Sequence, residues 1–80
     1  MVYHIVDERE CGRGESYNYK AKKYVEIRKT LIGAIRYIEK KYSNTRGICI
    51  EEWDDDKGMF VDGYTLTQAR KEARKTAKIA

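Results

Sequence analysis

Apolar side chains recur at steps of three and four residues through the middle of the chain, and this periodicity constrains the fold more than any other feature. It predicts an amphipathic helix of about five turns over residues 22–42, because residues three and four apart share one face of an α-helix. Ser43, Asn44 and Gly47 then supply the residues that end a helix and turn the chain. The apolar stripe consists of Tyr24, Ile27, Leu31, Ala34, Ile35, Ile38 and Tyr42.

The remaining segments predict three strands and a second helix. Residues 1–6 form a β-rich run, and residues 47–62 predict a hairpin whose strands flank a turn with a positive-φ position at Gly58. Thr65 and Gln68 have the spacing of a capping box, so a second helix is expected over residues 66–78. Alternation within the hairpin places Ile48 and Ile50 on one face and Trp53 on the other.

Eighty residues provide one small hydrophobic core, so we expect a single domain over residues 1–80. The element order β-α-β-β-α predicts an α+β fold, a two-layer sandwich in which both helices cover one face of a three-stranded antiparallel sheet. Residues 7–20, which include Gly12 and Gly14, are expected to form a loop. A short extra strand through residues 16–20 remains open, because Tyr17 and Tyr19 alternate with polar residues there.

The net charge of +4 conceals an alternation of charge along the chain. Residues 17–46 carry nine basic and two acidic side chains, whereas residues 47–62 carry one basic and six acidic ones. Residues 63–80 are again basic, with five Lys or Arg and one Glu. We therefore expect basic helices around an acidic hairpin, an arrangement that bears on the choice of partner more than on the fold.

Several classes of protein are not expected from this sequence. The longest apolar run, residues 31–35, is far shorter than the roughly 20 residues of a membrane span, and the first residues lack the pattern of a secretory signal. Two cysteines, Cys11 and Cys49, are too few for a disulfide scaffold, so a reducing cytoplasm is the expected compartment. His4 and Cys11 have no recognisable catalytic neighbours, so we expect neither an enzyme nor a bound cofactor.

The basic helix faces are the first candidate site. Lysine and arginine interleaved with tyrosine can neutralise phosphates and stack on bases, which points to nucleic acid or a nucleoprotein complex. The sequence has no recognition-helix or zinc-finger pattern, so binding is expected to follow backbone and shape. The alternative is a solvated face that keeps the protein soluble. The candidate contacts are Lys22, Lys29, Arg36, Lys40, Arg70, Arg74 and Lys75.

The acidic hairpin is the second candidate site. Its tip does not match the ligand spacing of a calcium-binding EF-hand, so no metal is expected there. An apolar anchor ringed by charge is typical of a protein-binding hot spot, although a plain solvated turn and a buried tryptophan would explain the same residues. The candidate partner-binding residues are Trp53, Asp54, Asp55, Asp56 and Phe60.

The segment of residues 60–69, Phe-Val-Asp-Gly-Tyr-Thr-Leu-Thr-Gln-Ala, resembles the strand-to-helix junction of HicB-type antitoxin domains. Similar junctions occur in small phage proteins, including some anti-CRISPR inhibitors, and in the DNA-binding arms of some integrases. The predicted long basic helix departs from the HicB order, so we assign no family. The resemblance implies an alternative function, an antitoxin-like or anti-CRISPR-like interaction or inhibitor module of phage or mobile-element type, which would act through the acidic hairpin and Trp53. A homodimer also remains open, because association would support a small core.

Overall fold

The computed structural model describes the chain from residue 1 to residue 79, with side chains described for residues 1–75. The described part is an α+β fold with two α-helices and one antiparallel sheet. None of its helices is long and apolar enough to cross a membrane. The strands are β1 (Val2–Asp7), β2 (Lys23–Arg28), β3 (Ile48–Asp54) and β4 (Met59–Thr65), and the helices are α1 (Leu31–Lys41) and α2 (Leu66–Ile79).

The sheet has four strands in the order β2-β1-β3-β4, so the prediction of three strands is wrong. The additional strand is β2, which pairs with β1 from Asp7 opposite Lys23 to Tyr3 opposite Arg28. The chain order is therefore β-β-α-β-β-α, and β2 is an edge strand.

The predicted helix over residues 22–42 is correspondingly too long, because only its second half is helical. A β-bulge explains the error: Tyr24 lies opposite Val6 and Ile27 lies opposite His4, although Val6 and His4 are only two residues apart. The extra residue in β2 thus places side chains three apart on one face of a strand, which imitates the spacing of a helix. Thr30 is the N-cap of the true helix, since its side chain accepts a hydrogen bond from the Gly33 N–H at 3.0 Å.

The hydrophobic core contains residues of β1, β3 and both helices. Ile5 on β1 lies opposite Ile50 on β3, and both are fully buried. The predicted separation of Ile48 and Ile50 from the side of Trp53 is confirmed, since these two isoleucines belong to the core. Each fully buried isoleucine contributes about 1.5–3 kcal/mol of apolar burial. The helical members of the core are Ala34, Ile35, Ile38, Leu66 and Ala69.

The capping box and the hairpin are confirmed. The Gln68 N–H donates to the Thr65 hydroxyl at 3.2 Å and the Thr65 N–H donates to the Gln68 side chain at 2.9 Å, so α2 begins at Leu66. Asp54 shapes the hairpin turn, because its carboxylate accepts the N–H groups of residues 56 and 57. Gly58 has the expected positive φ, +64°.

The loop after β1 contains no strand through residues 16–20 but two 3₁₀ turns, Gly14–Ser16 and Tyr19–Ala21. A hydrogen bond from the Glu8 N–H to the Gly47 carbonyl, at 2.8 Å, ties this loop to the segment between α1 and β3. Cys11 anchors the loop, since only 1% of its surface is exposed. Backbone hydrogen bonds within the turns therefore take the place of the strand-to-strand hydrogen bonds that a β-strand would have needed.

Candidate functional site

The seven cations predicted to share basic helix faces lie on several different elements. This follows from the shortened α1, because the segment that precedes Leu31 is not helical. Lys22 precedes β2, Lys29 lies between β2 and α1, Arg36 and Lys40 lie on α1, and Arg70, Arg74 and Lys75 lie on α2.

Lys22 serves an internal contact of the protein. Its ammonium group lies 3.0 Å from the Glu51 carboxylate and 3.5 Å from the Glu8 carboxylate. The hydrogen bond to Glu51 raises the pKa of Lys22, so the pair remains charged at neutral pH. Lys22 therefore contributes little free positive charge to a surface.

A cluster of cations surrounds Tyr37 on the flank of α1 beside the edge strand β2. We call it the cationic strip and define it as Arg28, Arg36, Lys40 and Lys41. The Arg28 guanidinium lies 5.1 Å from the centre of the Tyr37 ring, and the Lys41 ammonium lies 5.4 Å from it. Lys41 also donates to the Tyr37 hydroxyl at 2.9 Å, which raises the pKa of Lys41.

Three residues of the cationic strip, Arg28, Arg36 and Lys40, border a groove of about 280 Å³ that Gly33 and Tyr37 also line. Arg36 and Lys40 are exposed and form no ion pair with any residue among 1–75. The Arg28 guanidinium lies 3.4 Å from the Glu26 carboxylate. The strip therefore presents unneutralised positive charge beside an aromatic ring.

The cations of α2 are less concentrated. Arg70 is held by Glu39 of α1 at 2.7 Å, and Lys75 lies 4.0 Å from Glu72. Arg74 is exposed, as is Lys29 before α1, and neither lines the groove of the cationic strip. The structure thus brings Arg36 and Lys40 together and leaves the other predicted contacts apart from them.

The face of the sheet opposite the core carries a row of rings. We call His4, Tyr24, Trp53 and Phe60 the aromatic face. His4 meets Tyr24 and Trp53 edge to face, with ring centres 5.5 and 5.9 Å apart, and Trp53 meets Phe60 in the same way at 5.9 Å. Tyr24 is 53% exposed and Phe60 is 52% exposed, so the row is open at both ends.

Glu51 holds the rings of the aromatic face in place. It is only 6% exposed, and one carboxylate oxygen accepts hydrogen bonds from the Tyr24 hydroxyl and the Trp53 indole, both at 3.1 Å. Its other oxygen accepts from Lys22. Burial opposes the ionisation of Glu51, but the hydrogen bonds from Lys22, Trp53 and Tyr24 outweigh it and lower the pKa of Glu51.

Sequence reasoning missed Glu51 and Tyr24 as parts of a site. The alternation of the hairpin places Glu51 on the side of Trp53, but its central position depends on the register of β1 against both neighbouring strands. Tyr24 was assigned to a helical stripe instead. The signal for this site is therefore a pairing between distant segments, which a local pattern does not contain.

The predicted acidic site separates into two parts. Trp53 and Phe60 belong to the aromatic face, whereas Asp54 shapes the turn and Asp55 pairs with the amino group of Met1 at 3.0 Å. Asp56 is exposed. No three metal-ligating side chains converge within the described part of the chain.

The lone histidine and the two cysteines lie in different surroundings. His4 belongs to the aromatic face, and its buried Nδ1 has no hydrogen-bond partner among the described residues. Both cysteines are free thiols, and Cys49 contacts Glu8 at 3.3 Å. Burial, with Glu8 next in effect, raises the pKa of Cys49 to about 12.

Comparison with protein-family models, curated proteins and solved structures finds no match to the chain.

Proposed function

We propose that this protein is a small non-enzymatic binding protein that contacts nucleic acid, or a nucleoprotein complex, through the cationic strip. The observation that supports this proposal is the pair Arg36 and Lys40, exposed and without an ion pair among the described residues, beside the Tyr37 groove. Phosphate groups are the polyanionic ligands that such lysine and arginine side chains neutralise. The free thiols are consistent with action in a reducing compartment such as the cytoplasm.

The predicted two-layer arrangement fits this proposal. With both helices on one face of the sheet, α1 lies over the β2 side and presents its polar flank beside Arg28. The strip then follows the edge of the sheet, where a nucleic acid backbone can approach without displacing core residues. Because the strip is made of charge and one ring, we expect contacts with phosphates and little reading of base sequence.

Fluorescence anisotropy with a labelled duplex and a labelled single strand tests this proposal at low salt. The informative variant is Arg36→Glu/Lys40→Glu, and we expect it to weaken binding by at least about tenfold, since it converts two attractive contacts into repulsive ones. Undetectable binding of the wild-type protein to both probes would contradict the proposal.

A matched control distinguishes the effect of the cationic strip on binding from the effect of net charge. Lys20→Glu/Lys57→Glu changes the net charge by the same amount, and both lysines are exposed and lie outside the strip. We expect this control to retain most of the affinity. Equal losses in the two double variants would show that binding depends on overall charge and not on the cationic strip.

A second candidate function is protein interaction through the aromatic face. It is favoured by the network around Glu51, because a buried carboxylate that fixes two rings gives a rigid apolar surface with little entropy left to lose on binding. The nearby hairpin carries Asp54, Asp55 and Asp56, so the expected partner is a protein that presents apolar side chains flanked by lysine or arginine.

Replacement of the three hairpin aspartates would be a poor test of this candidate, because Asp54 shapes the turn and Asp55 holds the amino terminus. The better variant is Phe60→Ser, which changes an exposed ring of the aromatic face and leaves the hydrogen bonds to Glu51 in place. Affinity purification of the tagged protein from its source cell should recover a basic protein with the wild type and lose it with this variant. Equal recovery with both would contradict the second candidate.

A further inference from the structure

A second basic groove shares no lining residue with the groove beside the cationic strip. It encloses about 430 Å³, within the roughly 300–1,000 Å³ of small-molecule sites. Arg9 and Arg13 border it from the loop after β1, and Arg46 borders it from the segment between α1 and β3. We call this site the arginine groove, after these three arginines.

The charge balance of the arginine groove favours an anion. Arg9 is already neutralised by Asp7, with a shortest distance of 2.7 Å, and it stacks over the ring of Tyr42. Glu8, which also borders the groove, accepts from the Tyr17 hydroxyl at 2.8 Å and faces Lys22. The two remaining arginines, Arg13 and Arg46, form no ion pair with a described residue. Because Lys22 also pairs with Glu51, it does not fully neutralise Glu8, and the groove holds about one uncompensated positive charge.

The backbone around the groove is held in place by several contacts. The Glu8 N–H donates to the Gly47 carbonyl, which fixes the distance between the two loops. Gly47 has a φ of +80°, and a Cβ there would lie 2.8 Å from the Arg9 side chain, so glycine allows the loops to meet. The Arg13 carbonyl accepts from the Ser16 hydroxyl at 2.7 Å. The arginines thus lie where the loop after β1 is held against the segment between α1 and β3.

We propose that the arginine groove binds a phosphate monoester. Guanidinium groups form paired, charge-assisted hydrogen bonds with phosphate oxygens, and Arg13 and Arg46 offer two such groups to a monoester dianion. Tyr17 borders the groove and is 43% exposed, so it offers an aromatic surface beside the anion site. The ligand is a nucleoside monophosphate or the 5′-phosphate end of a nucleic acid strand, which share this chemistry. The site is independent of the proposed function of the cationic strip.

Titration of the ¹⁵N-labelled protein, followed by amide chemical shifts, tests the groove directly. The probes are AMP, adenosine, a 5′-phosphorylated oligonucleotide and its 5′-hydroxyl counterpart. We expect AMP to shift amides of residues 12–17 and 44–47 saturably, with a Kd of about 1 mM or below, and adenosine to leave them unchanged. Tighter binding of AMP identifies a free nucleotide as the ligand, and tighter binding of the phosphorylated strand identifies a strand end.

Variants assign the binding to the arginines. Arg13→Gln/Arg46→Gln should weaken AMP binding by about tenfold or more, whereas Arg74→Gln, an exposed arginine of α2 that does not line the groove, should have no effect. The variant Arg36→Glu/Lys40→Glu should also bind AMP normally, which keeps this proposal distinct from that of the cationic strip. Equal binding of adenosine and AMP, the lack of a saturable shift, or unchanged affinity in Arg13→Gln/Arg46→Gln would overturn the proposal.

Discussion

Replacement of Glu51 by glutamine is expected to destabilise the fold by about 2 kcal/mol. Lys22 donates to one carboxylate oxygen, whereas Tyr24 and Trp53 both donate to the other. The amide retains one oxygen for the two rings but turns its NH₂ group toward the Lys22 ammonium. Loss of a charge-assisted hydrogen bond in a largely buried place costs about 1.5–3 kcal/mol. Glu8, 3.5 Å from Lys22, offers the ammonium a second partner and keeps the loss within this range.

Thermal and urea unfolding measure this loss. A change of 1 kcal/mol shifts the Tm of a domain of this size by about 4–8 °C, so Glu51→Gln should unfold about 8–16 °C lower. Glu39→Gln is the matched control, because it breaks the Glu39–Arg70 pair on the surface and should cost less than about 1 kcal/mol. A loss at Glu51 no larger than the loss at Glu39 would refute the reasoning.

The pH dependence of the stability difference between the wild type and Glu51→Gln provides a second test. The pKa of Glu51 is lower in the folded protein than its ordinary value of 4.5, so the carboxylate stabilises the fold above that value. This stabilisation is lost as pH falls through the lowered pKa of the folded state. The stability difference between wild type and Glu51→Gln should therefore be full near neutral pH and shrink as the pH falls below 4.5. A difference that is independent of pH would contradict the assignment of a charged pair.

Three further changes test the fold around the sites. Thr65→Ala removes one half of the capping box and should cost about 1 kcal/mol in urea unfolding; an unchanged midpoint would show that the cap adds no stability. Gly47→Ala should cost more than Gly58→Ala, because both positions have positive φ but only Gly47 lies against Arg9; equal losses would argue against the close approach of the loops. Cys49, whose pKa is raised to about 12, should react with iodoacetamide at pH 8 far more slowly than in urea, as followed by mass spectrometry, and equal rates would contradict the partial burial of its thiol.

The parts of the fold that were predicted correctly have local signals. The capping box at Thr65, the positive φ of Gly58 and the alternation around Ile50 each depend on a few adjacent residues. The strand β2 was missed because its bulge places Tyr24 and Ile27 on one face at a helical spacing. Only the pairing with β1, which joins residues about twenty positions apart in the chain, distinguishes the two structures.

The candidate site was predictable to a smaller extent. Positive charge on α1 was recognised at Arg36 and Lys40, but the contribution of Arg28 depends on the position of β2 beside the helix. Lys22 was assigned to the surface because its partner, Glu51, is 29 positions away. Charge can be counted in a sequence, whereas the pairing that neutralises it is a property of the tertiary fold.

The salt dependence of nucleic acid binding tests the central claim most directly. Each phosphate contact with duplex DNA contributes about −0.9 to the slope of log Kobs against log salt, so the four cations of the strip allow a slope of about −3.6 at most. Arg36→Glu/Lys40→Glu should reduce its magnitude by about 1.8, and Lys20→Glu/Lys57→Glu should leave it unchanged. Equal slopes for the wild type and the strip variant, or a wild-type protein that does not bind at low salt, would contradict the assignment of the cationic strip as a nucleic acid contact.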